Sequence, residues 1–85
     1  MPPITIYTTS LCPYCAMAKR LLTQKGARFA EIDVGAKAAL REEMRVKSGG
    51  RQTVPQIWIG TRHVGGCDDL YALDAAGELD PLLSA

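Results

Sequence analysis

Long apolar runs, an excess of charge of one sign and abundant cysteine are all missing from this chain. No apolar run approaches the roughly 20 residues that cross a bilayer, so no membrane-spanning helix is predicted. The formal net charge is only +1 at pH 7, which gives no electrostatic reason to expect a nucleic-acid or membrane partner. We therefore expect a protein that binds neither nucleic acid nor membrane.

The three cysteines are an odd number and too few for a secreted disulfide scaffold. The start, Met1-Pro2-Pro3, lacks the basic and apolar regions of a secretory signal, so we expect a cytoplasmic location. A length of 85 residues with 47% apolar and 22% charged side chains is ordinary for one globular domain with one modest core. In a reducing compartment, two closely spaced cysteines are typical of redox chemistry or metal binding.

The hydrophobic pattern predicts the element order β-α-β-α-β-β-α. Predicted strands span residues 4–8, 28–34, 54–59 and 62–64; predicted helices span residues 13–25, 36–47 and 68 onward, with a short turn near 80–81. A strand, a helix and a strand in that order imply parallel pairing through a right-handed crossover. We therefore predict one α/β domain over residues 1–85, with a four-stranded mixed sheet flanked by three or more helices in the thioredoxin-like layout.

Two cysteines, in Cys12-Pro13-Tyr14-Cys15, lie between the first predicted strand and the first predicted helix. Proline suits the first helical position, so Cys12 stands where free backbone N–H groups lower the pKa of a thiol from about 8.5 to between about 3.5 and 7.5. We expect the N–H groups of Tyr14 and Cys15 to bond the Cys12 sulfur. Cys12 is then the predicted exposed nucleophile, and Cys15 the recessed partner that resolves the mixed disulfide.

Metal binding is the alternative use of these sulfurs. Cys12, Cys15, His63 and Cys67 are four plausible zinc ligands. The second pair is more loosely spaced than a zinc knuckle and lies far from the first in sequence. A cysteine pair that opens a helix after a strand favours redox chemistry, so we assign no metal site.

Three segments together resemble dithiol glutaredoxins, particularly the small bacterial type. They are Cys12-Pro13-Tyr14-Cys15, Thr53-Val54-Pro55-Gln56-Ile57 and Gly65-Gly66-Cys67-Asp68-Asp69-Leu70. Thioredoxins carry Gly-Pro between their cysteines, and the monothiol, cluster-carrying glutaredoxins have lost the second cysteine. The resemblance implies a glutathione-dependent oxidoreductase that reduces protein disulfides and glutathione mixed disulfides. Glutathione would be its reductant and co-substrate, with no permanently bound cofactor.

The resemblance also implies a groove for glutathione beside the redox pair. A cis bond before Pro55 would turn the Val54 backbone towards the cysteinyl part of glutathione. Tyr14 and Thr53 would form walls of the same groove.

At the other end of the groove, the resemblance places the γ-glutamyl group of glutathione at a helix start. Gly66 would allow close backbone approach, and the N–H groups of Cys67 and Asp68 would hold the carboxylate. The side chain of Asp68 or Asp69 would hold the ammonium. Ordinary helix capping by these acidic residues would look the same in the sequence, and both roles can hold together.

Thr9 stands where many relatives carry a lysine for the glycine carboxylate of glutathione. We expect Arg51 to replace that lysine, with Gln52 as a neutral helper, and binding to weaken only modestly. His63 is expected at the surface, and Trp58 and the Cys67 side chain are expected to be packed, without chemistry.

The expected protein partners are disulfide-containing or glutathionylated proteins, and the chain is expected to be a monomer. Ribonucleotide reductase is a usual client of relatives, although no residue here identifies it. One alternative is a glutaredoxin-like carrier that is reduced by thioredoxin reductase; a metal-binding or iron–sulfur module is the other.

Overall fold

The computed structural model describes all residues, 1–85, and contains four strands and four helices. These are β1 (Ile4–Thr8), α1 (Pro13–Gln24), β2 (Ala30–Asp33), α2 (Ala38–Lys47), β3 (Gln56–Ile59), β4 (Arg62–Gly65), α3 (Cys67–Ala75) and α4 (Leu79–Ser84). The strands form one sheet in the order β2-β1-β3-β4. Strand β1 pairs parallel with β2 and antiparallel with β3, and β3 pairs antiparallel with β4. The predicted mixed sheet and thioredoxin-like α/β fold are confirmed.

The alternating side chains of β1 and β3 feed two separate clusters on opposite faces of the sheet. Their isoleucines pack with residues of α1, α3 and α4 in a core of 12 buried residues. Tyr7 and Trp58 face the other way and pack with Val34 and Met44 beneath α2. The larger core therefore fixes α1 and α3, the two helices whose N-termini carry the predicted site.

Helix α1 is anchored by the stripe that the sequence predicts. Ala18, Leu21 and Leu22 are all buried against the sheet. The backbone of Gly26 has a φ of 73°, in the left-handed region that glycine tolerates, just beyond the helix end. This anchoring holds the first turn of α1 beyond the end of β1.

Several element boundaries differ by one or two residues from those predicted. Strand β3 begins at Gln56 rather than at residue 54, because Pro55 has no N–H to give to the sheet. Strand β2 covers only residues 30–33, and its first residue, Ala30, is exposed. Helix α2 begins at Ala38, two residues late, and α3 begins at Cys67, one residue early. None of the four helices has the length and apolar character needed to span a lipid bilayer.

Candidate active site

Cys12 and Cys15 form a disulfide at the N-terminus of α1, with their Cα atoms 5.2 Å apart. Cys12 is the N-cap residue, and its Sγ accepts a hydrogen bond from the Cys15 N–H at 3.1 Å. Serine, threonine and aspartate usually supply an oxygen at this position. The expected second bond from Tyr14 is not present, so a single backbone donor reaches the sulfur.

The two sulfurs differ in their access to solvent. Cys12 is half-buried, rather than fully exposed as expected, whereas Cys15 is only 2% exposed. A reagent from solution therefore reaches Cys12 first, and Cys15 lies recessed behind it as predicted.

An apolar groove of about 470 Å³ lies along one side of α1. This volume lies in the range of about 300–1,000 Å³ that is common for small-molecule sites. The lining residues are Tyr14, Met17, Arg51, Thr53, Val54, Pro55, Gly66, Cys67, Asp68 and Tyr71. All but Met17 and Tyr71 are among the predicted glutathione-binding residues, so the fold brings together segments that are distant in sequence.

Two predicted contacts, Gln52 and Asp69, do not line the groove. Gln52 is exposed, and its carbonyl accepts a hydrogen bond from Arg41 at 3.0 Å. The Oδ2 atom of Asp69 accepts the Gly66 N–H at 2.9 Å and lies 3.5 Å from Nη1 of Arg51. Asp69 therefore caps α3 and faces Arg51, which leaves Asp68 as the acidic side chain on the groove.

Gly65 makes the cap by Asp69 sterically possible. Its φ is 114°, a conformation that side-chain-bearing residues rarely adopt. A Cβ atom at this position would overlap the carboxylate of Asp69. The strand was predicted to end at residue 64, but Gly65 is the last residue of β4 and makes room for the cap of the next helix.

The bond before Pro55 is cis, as the resemblance implies. Both Val54 and Pro55 line the groove. Val54 and Pro55 lie in the segment that connects α2 to β3. The buried residues of β3 fix the end of this segment at the groove.

Two groove residues, Met17 and Tyr71, were not predicted. The Tyr71 hydroxyl donates to the Met17 carbonyl at 3.3 Å and joins α3 to α1 across the groove. Met17 lies three residues after Tyr14, and Tyr71 lies four residues after Cys67. Helical spacing from residues already singled out was the signal that could have identified them.

Gln56 supports the groove from behind and was also missed as a site residue. Its side chain is 0% exposed. The amide Nε2 donates to the Thr53 carbonyl at 3.0 Å and to the Thr53 hydroxyl at 3.2 Å. Because both amide hydrogens go to Thr53, Oε1 remains as the acceptor for His63 Nε2, at 2.7 Å.

His63 is half-buried rather than at the surface as expected. Its ring stacks on Trp58 with centroids 4.5 Å apart. Burial, and then the positive charge of Arg51, lower the pKa of His63. The imidazole is therefore neutral at pH 7 and carries its proton on Nε2, where Gln56 accepts it.

A second cavity, of about 620 Å³, shares no lining residue with the groove. We call it the charged cavity; its walls are Thr8, Thr9, Ser10, Leu11, Cys12, Pro13, Cys15, Ala16, Lys19, Glu31 and Asp33. On α1, positions 14 and 17 line the groove, and positions 13, 15, 16 and 19 line the charged cavity. At 3.6 residues per turn these sets lie on opposite faces of the helix.

An ion pair crosses the charged cavity. Lys19 Nζ lies 2.9 Å from Glu31 Oε2, and the Thr8 hydroxyl donates to the same oxygen at 2.8 Å. The hydrogen bond from Lys19, and then that from Thr8, lower the pKa of Glu31. Lys19 is half-buried, and its ammonium group is paired with Glu31.

The ligand set of the zinc alternative is not assembled within the chain. No group of three or more His, Cys, Asp or Glu side chains is placed to share a metal ion. His63 is bonded to Gln56, and Cys67 is packed in the groove wall, as expected. Burial, and then the neighbouring Asp68, raise the pKa of the Cys67 thiol, so it stays neutral at pH 7.

Comparison with known proteins identifies the family of this chain. The family model described as Glutaredoxin matches residues 4–64. A glutaredoxin of Pseudomonas aeruginosa is 61% identical over 85 residues, which is all of both chains.

Solved structures agree. The solution structure of glutaredoxin from Brucella melitensis is 60% identical, with a TM-score of 0.85 over 98% of this chain and 89% of that one. The crystal structure of a buckwheat glutaredoxin–glutathione complex is 31% identical, with a TM-score of 0.88 over 98% of this chain and 77% of that one. With its Cys12–Cys15 pair, this thiol–disulfide oxidoreductase belongs to the glutaredoxin family.

Proposed function

We propose that the protein uses glutathione to reduce protein disulfides and glutathione mixed disulfides through Cys12 and Cys15. One observation carries this proposal: the Sγ of Cys12 is the N-cap of α1 and accepts the Cys15 N–H at 3.1 Å. In the reduced protein, the same donor and the helix dipole favour the negative thiolate over the neutral thiol. The thiolate is the form that attacks disulfides.

The reaction on a protein disulfide transfers two electrons in two exchanges. The Cys12 thiolate attacks one substrate sulfur, a Cys12–substrate disulfide forms, and the other substrate sulfur leaves as a thiolate that takes a proton. Cys15 then loses its proton and attacks Cys12 Sγ, which forms the Cys12–Cys15 disulfide and releases the second substrate thiol. Two glutathione molecules restore the dithiol and leave as glutathione disulfide.

Glutathione mixed disulfides need only one protein sulfur. Cys12 takes the glutathionyl group and releases the substrate thiol, and a second glutathione removes that group from Cys12 as glutathione disulfide. Cys15 is not required in this branch. The half-buried Cys12 beside recessed Cys15 supports this division of labour.

The groove offers a partner for each part of glutathione. In our proposal the Val54 backbone pairs with the cysteinyl residue, as in strand addition. The N–H groups of Cys67 and Asp68 hold the γ-glutamyl carboxylate, and the Asp68 side chain holds its ammonium. The buckwheat relative, whose crystal structure is described as a glutathione complex, supports this assignment.

Arg51 is the proposed partner of the glycine carboxylate. It lines the groove, and its Nη1 lies 3.5 Å from Asp69 Oδ2, a long and exposed pair that a ligand carboxylate can share. Gln52 keeps at most an outer role, because its carbonyl bonds Arg41 and it does not line the groove.

The test is a coupled assay with two alternative reductants. Glutathione with glutathione reductase is expected to sustain turnover of a glutathionylated peptide, and thioredoxin reductase alone is not. Glutaredoxins near −200 to −230 mV are reduced by glutathione more readily than thioredoxin near −270 mV. Turnover with thioredoxin reductase only would overturn the proposal in favour of the alternative carrier. Stoichiometric iron or zinc in the purified protein would favour the metal-binding alternative.

The proposed setting follows from the reductant. A glutathione pool reducing enough to regenerate the dithiol is found in the cytoplasm, where we place the protein. We propose that it works there as a monomer on disulfide-containing or glutathionylated proteins, with ribonucleotide reductase as a client to test.

A further inference from the structure

Leu11, the residue before Cys12, has a conformation and an exposure that folding does not explain. Its φ is 57°, and it is the only non-glycine residue with a positive φ. Its side chain is fully exposed, at 101% of the reference value. A leucine in the left-handed region costs free energy, and such residues cluster at functional sites. The Leu11 side chain is not buried, so no hydrophobic stabilisation offsets this cost within the protein.

Four of the six large apolar side chains that are exposed line the groove or the charged cavity. The large apolar side chains that are exposed are Met1, Leu11, Tyr14, Met17, Val46 and Tyr71. Tyr14, Met17 and Tyr71 line the apolar groove, and Leu11 lines the charged cavity. Leu11 is therefore an exposed apolar side chain on the other cavity, the one that Cys12 lines.

The position of Leu11 distinguishes a polypeptide from glutathione. Glutathione has one residue before its cysteine and one after it. In the proposed function, each of these three residues has a contact in the groove. A polypeptide continues in both directions from its cysteine and passes beyond the groove. Cys12 itself lines the charged cavity together with Leu11, so this continuation meets the leucine next to the reacting sulfur.

We infer that Leu11 is a docking contact for polypeptide substrates and selects those with an apolar side chain next to the reactive cysteine. This inference rests on the proposed function and names the substrate feature that its site prefers. On the cavity wall Lys19 and Glu31 pair with each other, and Asp33 is the remaining charged side chain. The recognition that Leu11 itself adds is an apolar contact. Leu11 takes no part in bond making or breaking; it contributes binding only.

The test compares Leu11→Asn with the unchanged protein on matched peptides. Asparagine tolerates the left-handed region better than leucine, so the variant removes the apolar contact without adding strain. The substrates are two synthetic peptide disulfides that differ only in having leucine or serine next to the attacked cysteine. A third substrate is the mixed disulfide of glutathione and cysteine.

With the dithiol form of the unchanged protein, we expect the leucine peptide to react faster than the serine peptide. Leu11→Asn should slow the leucine peptide by about 5- to 10-fold, as loss of a partly buried leucine contact implies. It should leave the serine peptide and the glutathione mixed disulfide unchanged. Thermal unfolding should stay equal or shift upward. The matched control is Val46→Asn, which removes an exposed apolar side chain that lines neither cavity.

Equal rates for the two peptides, or an equal loss on all three substrates, would overturn the inference. Leu11→Gly is the second variant if Leu11→Asn does not fold, because glycine also accepts this φ. These exchange reactions use stoichiometric dithiol protein without glutathione turnover. Failure of the proposed glutathione dependence would therefore appear in the coupled assay and would leave the peptide comparison readable.

Discussion

The apolar groove and the charged cavity lie on opposite faces of α1, but they are built from different parts of the chain. The groove combines α1 with the segment before β3 and with the N-terminus of α3. The charged cavity is formed by the ends of β1 and β2 with the first turns of α1. The groove is held from behind by buried hydrogen bonds of Gln56 and by the Asp69 cap. The charged cavity is held by the partly exposed Lys19–Glu31 ion pair and by the hydrogen bond from the buried Thr8 hydroxyl to Glu31.

This difference indicates which side is shaped for a single ligand. A buried, fully bonded polar network fixes geometry, since a misplaced partner leaves a costly unsatisfied group. An exposed ion pair contributes little and adapts easily. In our proposal the groove therefore takes the constant ligand, glutathione, and the charged cavity takes the substrates that vary.

Cys12→Ser gives the largest expected effect, because the reactions proposed for the groove and for the charged cavity both use the Cys12 sulfur. Turnover of peptide disulfides and of glutathione mixed disulfides should fall to the uncatalysed rate. The two assays, run with glutathione and its reductase, provide the measurement. Appreciable activity left in either one would show that another group is the nucleophile.

Cys15→Ser should separate the two branches of the reaction. Reduction of glutathione mixed disulfides should persist, since a second glutathione replaces the resolving sulfur. Reduction of protein disulfides should fall by about tenfold or more, because the Cys12–substrate intermediate loses its intramolecular partner. The ratio of the two rates is the readout, and a parallel loss in both would contradict the assigned roles.

Gln56→Leu should affect the groove and spare the charged cavity. The carbonyl and the hydroxyl of Thr53 lose the hydrogen bonds that Gln56 donates, so the free energy of unfolding should fall by about 1–3 kcal/mol. The KM for a glutathione mixed disulfide should rise several-fold, while stoichiometric reaction with a peptide disulfide changes less. Urea unfolding and steady-state kinetics measure the two effects.

His63→Phe is the matched control for the Gln56 variant. It removes the bond to Gln56 Oε1 but leaves both Gln56–Thr53 bonds in place. We expect lower stability with a smaller rise in KM. If the rise in KM is in the same proportion to the loss of stability in both variants, Gln56 only stabilises the fold.

The smallest expected effect is a pH dependence confined to the charged cavity. The pKa of Glu31 is lowered by the hydrogen bonds from Lys19 and Thr8, so folding prefers the ionised carboxylate. Its contribution is present above the unfolded pKa of about 4.3 and is lost as pH falls through the lower folded pKa. The pair is exposed, so the contribution is at most a few tenths of a kcal/mol.

Urea unfolding of the protein and of Glu31→Gln, followed from pH 7 to pH 3, tests this sign. The difference in free energy of unfolding should be largest near neutrality and shrink in acid. A difference that grows on acidification would show that the Lys19–Glu31 pair opposes folding.

Local signals were enough to predict much of this molecule. The β-branched run of β1, the apolar stripe of α1 and the proline after Cys12 each act over a few residues, and all are found as predicted. Most groove residues were identified because the resemblance to glutaredoxins implied them. Their meeting was inferred from the family resemblance as well as from the pattern.

Errors arose where a residue's environment depends on distant partners. Gln52 adjoins the groove segment in sequence, but its carbonyl bonds Arg41 in α2. Gln56 is a polar residue inside a strand, and its burial depends on hydrogen bonds to Thr53 and to the hairpin partner His63. Tyr71 shows the spacing of a helix residue, which does not distinguish a core position from a groove wall.

The neutral thiol of Cys67 allows a third sulfur to stand in the groove wall without competing with the working pair. Burial and the negative charge of Asp68 keep its proton in place, and a protonated sulfur is a poor attacker of disulfides. Scrambled pairings that would trap the protein in a dead-end form are therefore slow. We therefore expect repeated oxidation to form the Cys12–Cys15 bond rather than a bond to Cys67.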